Sequence, residues 1–305
     1  MDTTKKKSLL ADLSLFIVAI IWGTGFVVTK ESLNSFPVYY LMSLRFGIAT
    51  LVLLIVYRKK LKTIDKDTLK AGGIIGLFLF AGFATQTIGL QWIEAGKSAF
   101  LTATNVVIVP FLYYIVNKKG PDKYSVIASV LTLFGIMMLT LKGGYHMAPG
   151  DLMTLLCAVA FAGHIVSVGQ YSGRFDPVNL VIIQMGTAAV LSIACRVLFE
   201  TYPTGITLLG YSKVLYLAMF GTLACFFIQT VAQKYTSSSH AAIIMSLESV
   251  FGVIFSVILL GELLTTKMII GCSIIFVAII IAETKLEFLI PKKYKVNKDE
   301  IVDKV

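Results

Sequence analysis

The chain has 305 residues, of which 57% are hydrophobic and 14% charged, with a mean hydropathy of +0.84 and a net charge of +10. Soluble domains carry about 25% charged residues, so the composition excludes a water-soluble globular protein. The positive balance does not indicate nucleic acid, because the lysines and arginines lie in short segments between apolar runs instead of forming one basic face.

About 20 apolar residues cross the hydrocarbon core as a helix. Ten such runs follow one another, at 11–31, 37–57, 71–93, 97–117, 124–142, 149–170, 177–199, 213–235, 239–260 and 266–284. They predict an all-α integral membrane protein with ten transmembrane helices. Lys5 to Lys7 resemble the start of a secretory signal, but "VVTKESLNSF" after the first run offers no small-residue cleavage site. The first run is therefore read as a retained helix. Gly23-Thr24-Gly25 inside it lacks the preceding strand and third glycine of a dinucleotide loop.

With the amino terminus on the cytoplasmic side, twenty lysines and arginines fall on that side and five on the other. This positive-inside bias predicts a plasma-membrane protein with both termini cytoplasmic. The basic tail "PKKYKVNK" is expected near anionic head groups. Cys157, Cys195, Cys225 and Cys272 all lie in apolar runs without pair spacing, and are read as small buried hydrophobes. No metal or cofactor is expected, and no Gly-rich phosphate loop for ATP is present.

The halves correspond at an offset of about 140 residues. "DLSLFIVAIIWGTGFVV" from Asp12 matches "DLMTLLCAVAFAGHIVS" from Asp151, and "FPVYYL" from Phe36 matches "DPVNLV" from Asp176. "QTIGLQW" from Gln86 matches "QTVAQKY" from Gln229. "SAFLTATNVVIVP" from Ser98 matches "AAIIMSLESVFGV" from Ala241, which sets Asn105 opposite Glu248. Five runs per half is an odd number, so the second half enters the membrane inverted. The expected organisation is a basic amino terminus (1–10), a five-helix repeat (11–142), its inverted copy (149–285) and a basic tail (286–305). Such repeats build transporters around a midplane site.

"IWGTGFV", "LRF" with Arg45, "ATQTIGLQWIEAGKSAFLTATNVVIVP", "SLESVFGVIFSVILLGELLT" and the following "GC" carry a further likeness. Over roughly residues 11–285 the chain resembles an EamA-type member of the drug/metabolite transporter superfamily. The resemblance implies a ten-helix carrier with two inverted repeats and alternating access, commonly exporting amino acids or other small metabolites. Two departures stand out. "NKKGP" replaces in the first half the Gly-Glu retained as Gly261-Glu262. The glutamate that the small multidrug-resistance relatives use in helix 1 is missing, Asp12 being that helix's acid, near its end.

Polar and ionisable residues inside spans are costly and mark candidate sites. The expected cavity residues are Trp22, Thr24, Arg45, Gln86, Asn105, His164, Gln229 and Glu248. Trp22 lies mid-span, away from an interfacial belt. Gly23 and Gly25 either allow close helix approach or loosen the helix beside a cavity. Arg45 either lines the site or snorkels outward. Glu248 is too short to snorkel and either binds substrate or a proton, pairs with Arg45, or bonds between helices. His164 is either a ligand and proton switch or a satisfied core histidine. Gln86 and Gln229 suit a cavity wall or helix–helix hydrogen bonds, Arg196 an interface. Pro110 is expected to kink its span near Asn105.

The sequence thus predicts a secondary carrier for a small polar, amino-acid-like metabolite, working as an exporter. The partners are that small molecule and the lipid bilayer, with no nucleic acid; the sequence does not set the oligomeric state. A carrier or flippase for a nucleotide-sugar or lipid-linked substrate is the alternative. An intramembrane enzyme using His164, Glu248 and Asp151 is remote, since no H-E-x-x-H or G-x-S-x-G occurs.

Overall fold

Inside hydrocarbon an apolar run must hydrogen-bond its own backbone, which favours helices. The computed structural model of the chain describes residues 3–118, 123–140 and 147–284, and among them every regular element is helical. The basic tail 286–305 lies outside the described residues. In chain order the helices are α1 (Thr3–Ser32), α2 (Val38–Val56), α3 (Lys66–Leu90), α4 (Ala95–Ala103), α5 (Asn105–Asn117) and α6 (Lys123–Thr140). There follow α7 (Pro149–Tyr171), α8 (Pro177–Phe199), α9 (Leu208–Tyr216), α10 (Cys225–Ala232), α11 (Ser238–Ser246), α12 (Glu248–Leu260) and α13 (Thr266–Thr284). A 3₁₀ turn, Lys60–Thr63, follows α2, and a π-helical segment, Leu217–Ala224, joins α9 to α10.

Eight stretches are long and apolar enough to cross a membrane: Lys7–Ser32, α2, α3, α4 with α5, α7, α8, α9 through α10, and His240–Leu260. Two shorter apolar stretches, Val126–Met138 in α6 and Thr266–Ala278 in α13, occupy the fifth and tenth predicted positions. Large apolar side chains such as Leu133, Val197, Phe199 and Ile258 stand exposed around the bundle, as lipid contact requires. The protein is a multi-pass membrane protein. The main helix pairings recur when the first series (α1 to α6) is exchanged for the second (α7 to α13): α2 packs on α8, α6 on α13, α4 on α12 as α11 on α5, α3 on α7 as α1 on α10, and α1 on α12 as α7 on α5.

Helix starts are satisfied by side chains, some from distant segments. Asp65 accepts from Thr68 N at 2.7 Å, and Asp176 from Val178 N at 2.9 Å. Glu200 reaches across to accept from Tyr39 N and Tyr40 N at 2.8 and 2.7 Å, opening α2. Glu262 does the same for α4, accepting from Ala95 N and Gly96 N at 2.7 and 3.0 Å. A carboxylate there also complements the positive helix end.

The fourth span holds Pro110 inside a helix and breaks elsewhere. The fourth span breaks at Thr104, six residues earlier, while α5 runs through Pro110. At the break Thr104 N bonds Leu101 O at 3.3 Å and Val107 N bonds Thr104 O at 3.1 Å, a tight three-residue pattern. The ninth span breaks in the same way at Leu247, where Leu247 N bonds Ile244 O at 3.3 Å and Val250 N bonds Leu247 O at 3.0 Å. No proline lies in α11 or α12, so proline is not what sets these breaks. Asn105 and Glu248 each begin the half-helix after one.

Gly23 and Gly25 divide the two roles left open for them. A Cβ at Gly23 would lie 2.4 Å from Phe251 Cβ on α12, whereas one at Gly25 would meet nothing within 4 Å. Gly23 permits the α1–α12 crossing; Gly25 faces open space. Gly23→Ala is expected to destabilise the fold by about 1–3 kcal/mol through overpacking, read as a lower melting temperature of the purified protein. Gly25→Ala should melt at or above the wild-type temperature. Equal melting of the two variants would contradict this division.

Candidate functional site

A cavity lies between the two series, bordered by Asn105 and Glu248, the residues that follow the two helix breaks. It is lined by α1 (Trp22, Gly25, Phe26, Thr29), α2 (Arg45), α3 (Phe83, Gln86) and α5 (Asn105) from the first series. The second series contributes α7 (Phe161, His164, Ile165), α10 (Phe226, Gln229), α11 (Met245) and α12 (Glu248). Its empty volume is about 550 Å³ counting the space at its mouth, within the usual range for small-molecule sites.

Arg45 defines one wall. It is buried at 5% exposure and does not snorkel outward. Its Nε donates to Thr222 Oγ1 and its Nη2 to Gly221 O at 3.3 Å. The guanidinium stands over the Phe83 ring, 4.3 Å from its centroid. Trp22 Nε1 donates to the same Gly221 carbonyl at 3.0 Å. Both acceptors belong to the π-helical segment, where wider winding alters which carbonyls the ladder uses. Two of the five N–H donors of Arg45 are engaged by these bonds, which leaves three for a ligand.

Glu248 lies on another wall, 7% exposed. Among the described residues it forms no ion pair and accepts no side-chain hydrogen bond, and Arg45 forms no ion pair either. The direct Glu248–Arg45 pair considered from the sequence is not made. Asn105 and Gln229 add two more idle acceptors: Asn105 Oδ1 and Gln229 Oε1 are buried without a partner among the described residues. The amide of Gln229 donates to Gln233 Oε1 at 3.0 Å. Gln86 Nε2 bonds Thr102 Oγ1 at 3.3 Å, so it both lines the cavity and ties α3 to α4.

His164 lines the cavity while holding a fixed partner. Its Nε2 lies 2.9 Å from Gln184 Oε1, and Gln184 Nε2 donates to Thr230 Oγ1 at 3.1 Å. Its ring meets Phe226 edge-on with centroids 5.4 Å apart. Thr24 is not among the lining residues. Its hydroxyl bonds Ile21 O at 2.7 Å and Tyr216 OH at 2.5 Å, which turns it toward α9.

Sequence reasoning missed the aromatic lining, Phe26, Phe83, Phe161 and Phe226, because in apolar spans a ring facing a cavity reads like one facing lipid. It also missed the π-helical segment, whose sequence "LAMFGTLA" looks like ordinary helix, and the buried ion pair between Lys97 and Asp151 at 2.7 Å. Lys97 reads as a loop lysine but lies in α4, 2% exposed. Cys195 and Cys272 are only half-buried, while Cys157 and Cys225 are buried as expected.

The EamA-like transporter family matches the chain twice, over residues 9–141 and again over residues 148–284. The chain belongs to the EamA-like transporter family. An uncharacterized transporter of Archaeoglobus fulgidus is 35% identical over 280 residues, which cover 92% of this chain and 88% of that protein. The uncharacterized inner membrane transporter YedA of Escherichia coli is 26% identical, with 92% of each chain covered. The uncharacterized transporter YoaV of Bacillus subtilis is 23% identical, covering 86% of this chain and 93% of its own. A solved crystal structure sharing 18% of the sequence superposes with a TM-score of 0.66 over 90% of this chain and 98% of its own, so the fold is shared. These EamA-like relatives are named as transporters, and a small-molecule substrate and a bilayer setting accompany that membership.

Thr222→Val keeps the shape of the side chain and removes the acceptor for Arg45 Nε. The expected loss is about 1–3 kcal/mol, the cost of a buried charged donor left short of a partner, read as a fall in melting temperature. Unchanged melting would show that Arg45 does not depend on this hydroxyl.

Proposed function

We propose that the protein is a secondary carrier that moves a small zwitterionic metabolite of amino-acid type across the plasma membrane by alternating access. One observation carries the substrate class: Arg45 and Glu248 share a cavity without forming an ion pair with each other or with any other described residue. A carboxylate meets the three idle donors of Arg45, and an ammonium meets Glu248, Asn105 Oδ1 and Gln229 Oε1. The rings of Trp22, Phe83, Phe161 and Phe226 suit the apolar part between them. A bound zwitterion supplies the counter-charge that each buried group lacks.

A nucleotide-sugar or lipid-linked pyrophosphate is favoured less. Two phosphates call for several cations, while this cavity offers one guanidinium and a carboxylate that repels them. His164 serves in this reading as a fixed wall, aligned by Gln184.

The transport cycle rests on a ten-span arrangement of two inverted five-helix repeats. Support comes from the double family match, from helix pairings that survive exchange of the halves, and from the bonds at the helix ends. Lys60 pairs with Asp176 and Asn179 bonds Thr63, whereas Glu31 pairs with Lys213 and Glu200 and Glu262 cap α2 and α4. Each of these joins ends that ten alternating spans place on one face. The lysine and arginine bias makes the face holding both termini the cytoplasmic one, and the family resemblance favours outward movement.

Counterflow in liposomes tests this reading with four labelled probes: a neutral amino acid, its decarboxylated amine, its deaminated acid and a nucleotide-sugar. The amino acid should exchange in preference to the other three. Arg45→Gln and Glu248→Gln, both folded by melting temperature, should each lower that exchange about 10-fold or more. Preferred exchange of the nucleotide-sugar, or wild-type flux in both variants, would overturn it.

A further inference from the structure

Two ion pairs lie outside the cavity and are related by the sequence repeat. The alignment that sets Asp12 opposite Asp151 and Ser98 opposite Ala241 also sets Lys97 opposite His240. In space Lys97 Nζ meets Asp151 Oδ1 at 2.7 Å, joining α4 to α7. His240 Nε2 meets Asp12 Oδ2 at 3.4 Å, joining α11 to α1. Each pair ties one series to the other, at opposite ends of the bundle, and α1, α7 and α11 themselves border the cavity.

The chemistry of the two pairs differs. Lys97 and Asp151 are 2% and 0% exposed, out of reach of solvent. The ammonium approaches Asp151 outside hydrogen-bonding geometry, and neither carboxylate oxygen has another partner among the described residues. His240 and Asp12 are 42% and 26% exposed, in reach of solvent protons that an imidazole can take up.

We propose that these pairs are repeat-related latches at the two ends of the cavity, and that the Asp12–His240 latch is set by protonation of His240. The inference rests on the alternating-access reading above. Both latches are made in this structure. Opening toward one end releases the latch there, and protonation of His240 strengthens the latch at the amino-terminal end. Acid on that side therefore holds that end closed and turns the cavity to the other.

Among the described residues, the other ionisable groups near that end on the helices packed against α11 are Lys7 on α1, Tyr113 and Tyr114 on α5 with Lys118 closing it, and Tyr171 ending α7 with Arg174 after it; Lys234 and Tyr235 precede α11 itself. Lys7 stands over the Tyr235 ring at 5.8 Å. On α13 the side chain of Glu283 lies outside the described residues, and on α12 the acid is Glu248, at the cavity. Histidine is the side-chain type that changes charge within the physiological range.

The test is the rate at which an impermeant maleimide labels Gly25→Cys in a background without native cysteines. Gly25 lines the cavity and has room for the added side chain. Right-side-out and inverted membrane vesicles expose the two ends, and Lys62→Cys in a parallel sample reports which vesicle presents the amino-terminal one. Maleimide reacts with the thiolate, whose fraction falls with pH, so the readout is the ratio of labelling from the amino-terminal end to labelling from the opposite end at each pH. That ratio should fall about two- to fivefold from pH 8 to pH 6, the population shift available to a half-exposed ion pair. His240→Gln should abolish this pH response and leave the ratio high, while His240→Lys should abolish it and leave the ratio low. Asp151→Asn should raise labelling from the opposite end.

Labelling from both ends in a ratio that ignores pH and these substitutions would overturn the latches while leaving alternating access standing. A pH response that survives His240→Lys would also overturn them. Labelling confined to one end in every variant and at both pH values would overturn the alternating-access reading, and the latches with it.

Discussion

A guanidinium held at the heart of a membrane bundle needs acceptors that an ordinary helix does not offer. Arg45 finds them where α9 passes into α10 through π-helical winding, with Gly221 presenting its carbonyl and Thr222 its hydroxyl. Trp22 takes the same carbonyl from the other side, and Phe83 lies against the face of the guanidinium. Helices α1, α2 and α3 meet the π-helical segment at this point. Without the π segment, Arg45 would be a buried cation lacking partners, the costliest kind of side chain in hydrocarbon. The cavity wall, the positions of the aromatic rings and the charge presented to a ligand all follow from that anchor.

Several helix ends and interhelical contacts find distant hydrogen-bond partners, although Asp12, Ser98, Thr132, Asp151, Ser172 and Asn179 also keep a buried oxygen without one among the described residues. Helix ends take carboxylates from remote loops, Glu200 for α2 and Glu262 for α4. Gln184 links His164 to Thr230, and Gln233 links Gln229 to Ile165 O. Against that background, Glu248, Asn105 Oδ1 and Gln229 Oε1 stand idle in one cavity. Asn105 and Glu248 also occupy corresponding places, each at the start of the half-helix after a break. One of these places holds an amide and the other a carboxylate.

The membrane character and the order of the helices were legible because apolar run length is a direct consequence of bilayer thickness. Arg45, Glu248 and His164 were legible because ionisable groups are rare within spans. The breaks at Thr104 and Leu247 were not, since no proline or glycine marks Leu247, and Pro110 pointed to the wrong turn of its helix. The π segment left no compositional trace. Lys97 was misplaced for a physical reason: a lysine beside a span end reads as a surface cation until the partner from a distant helix, Asp151, is brought against it. Thr24 shared the apolar surroundings of Trp22 and Gly25, but helical rotation turns its hydroxyl to Tyr216 instead of the cavity.

The central claim is that Arg45 and Glu248 receive the opposite charges of one ligand. Equilibrium binding of a labelled neutral amino acid and its decarboxylated amine, to the detergent-purified wild type and to folded Arg45→Gln and Glu248→Gln, measures this most directly. The account predicts that the amino acid loses affinity in both variants, whereas the amine loses it only in Glu248→Gln. Amine binding weakened equally by Arg45→Gln, or amino-acid binding untouched by either change, would contradict it.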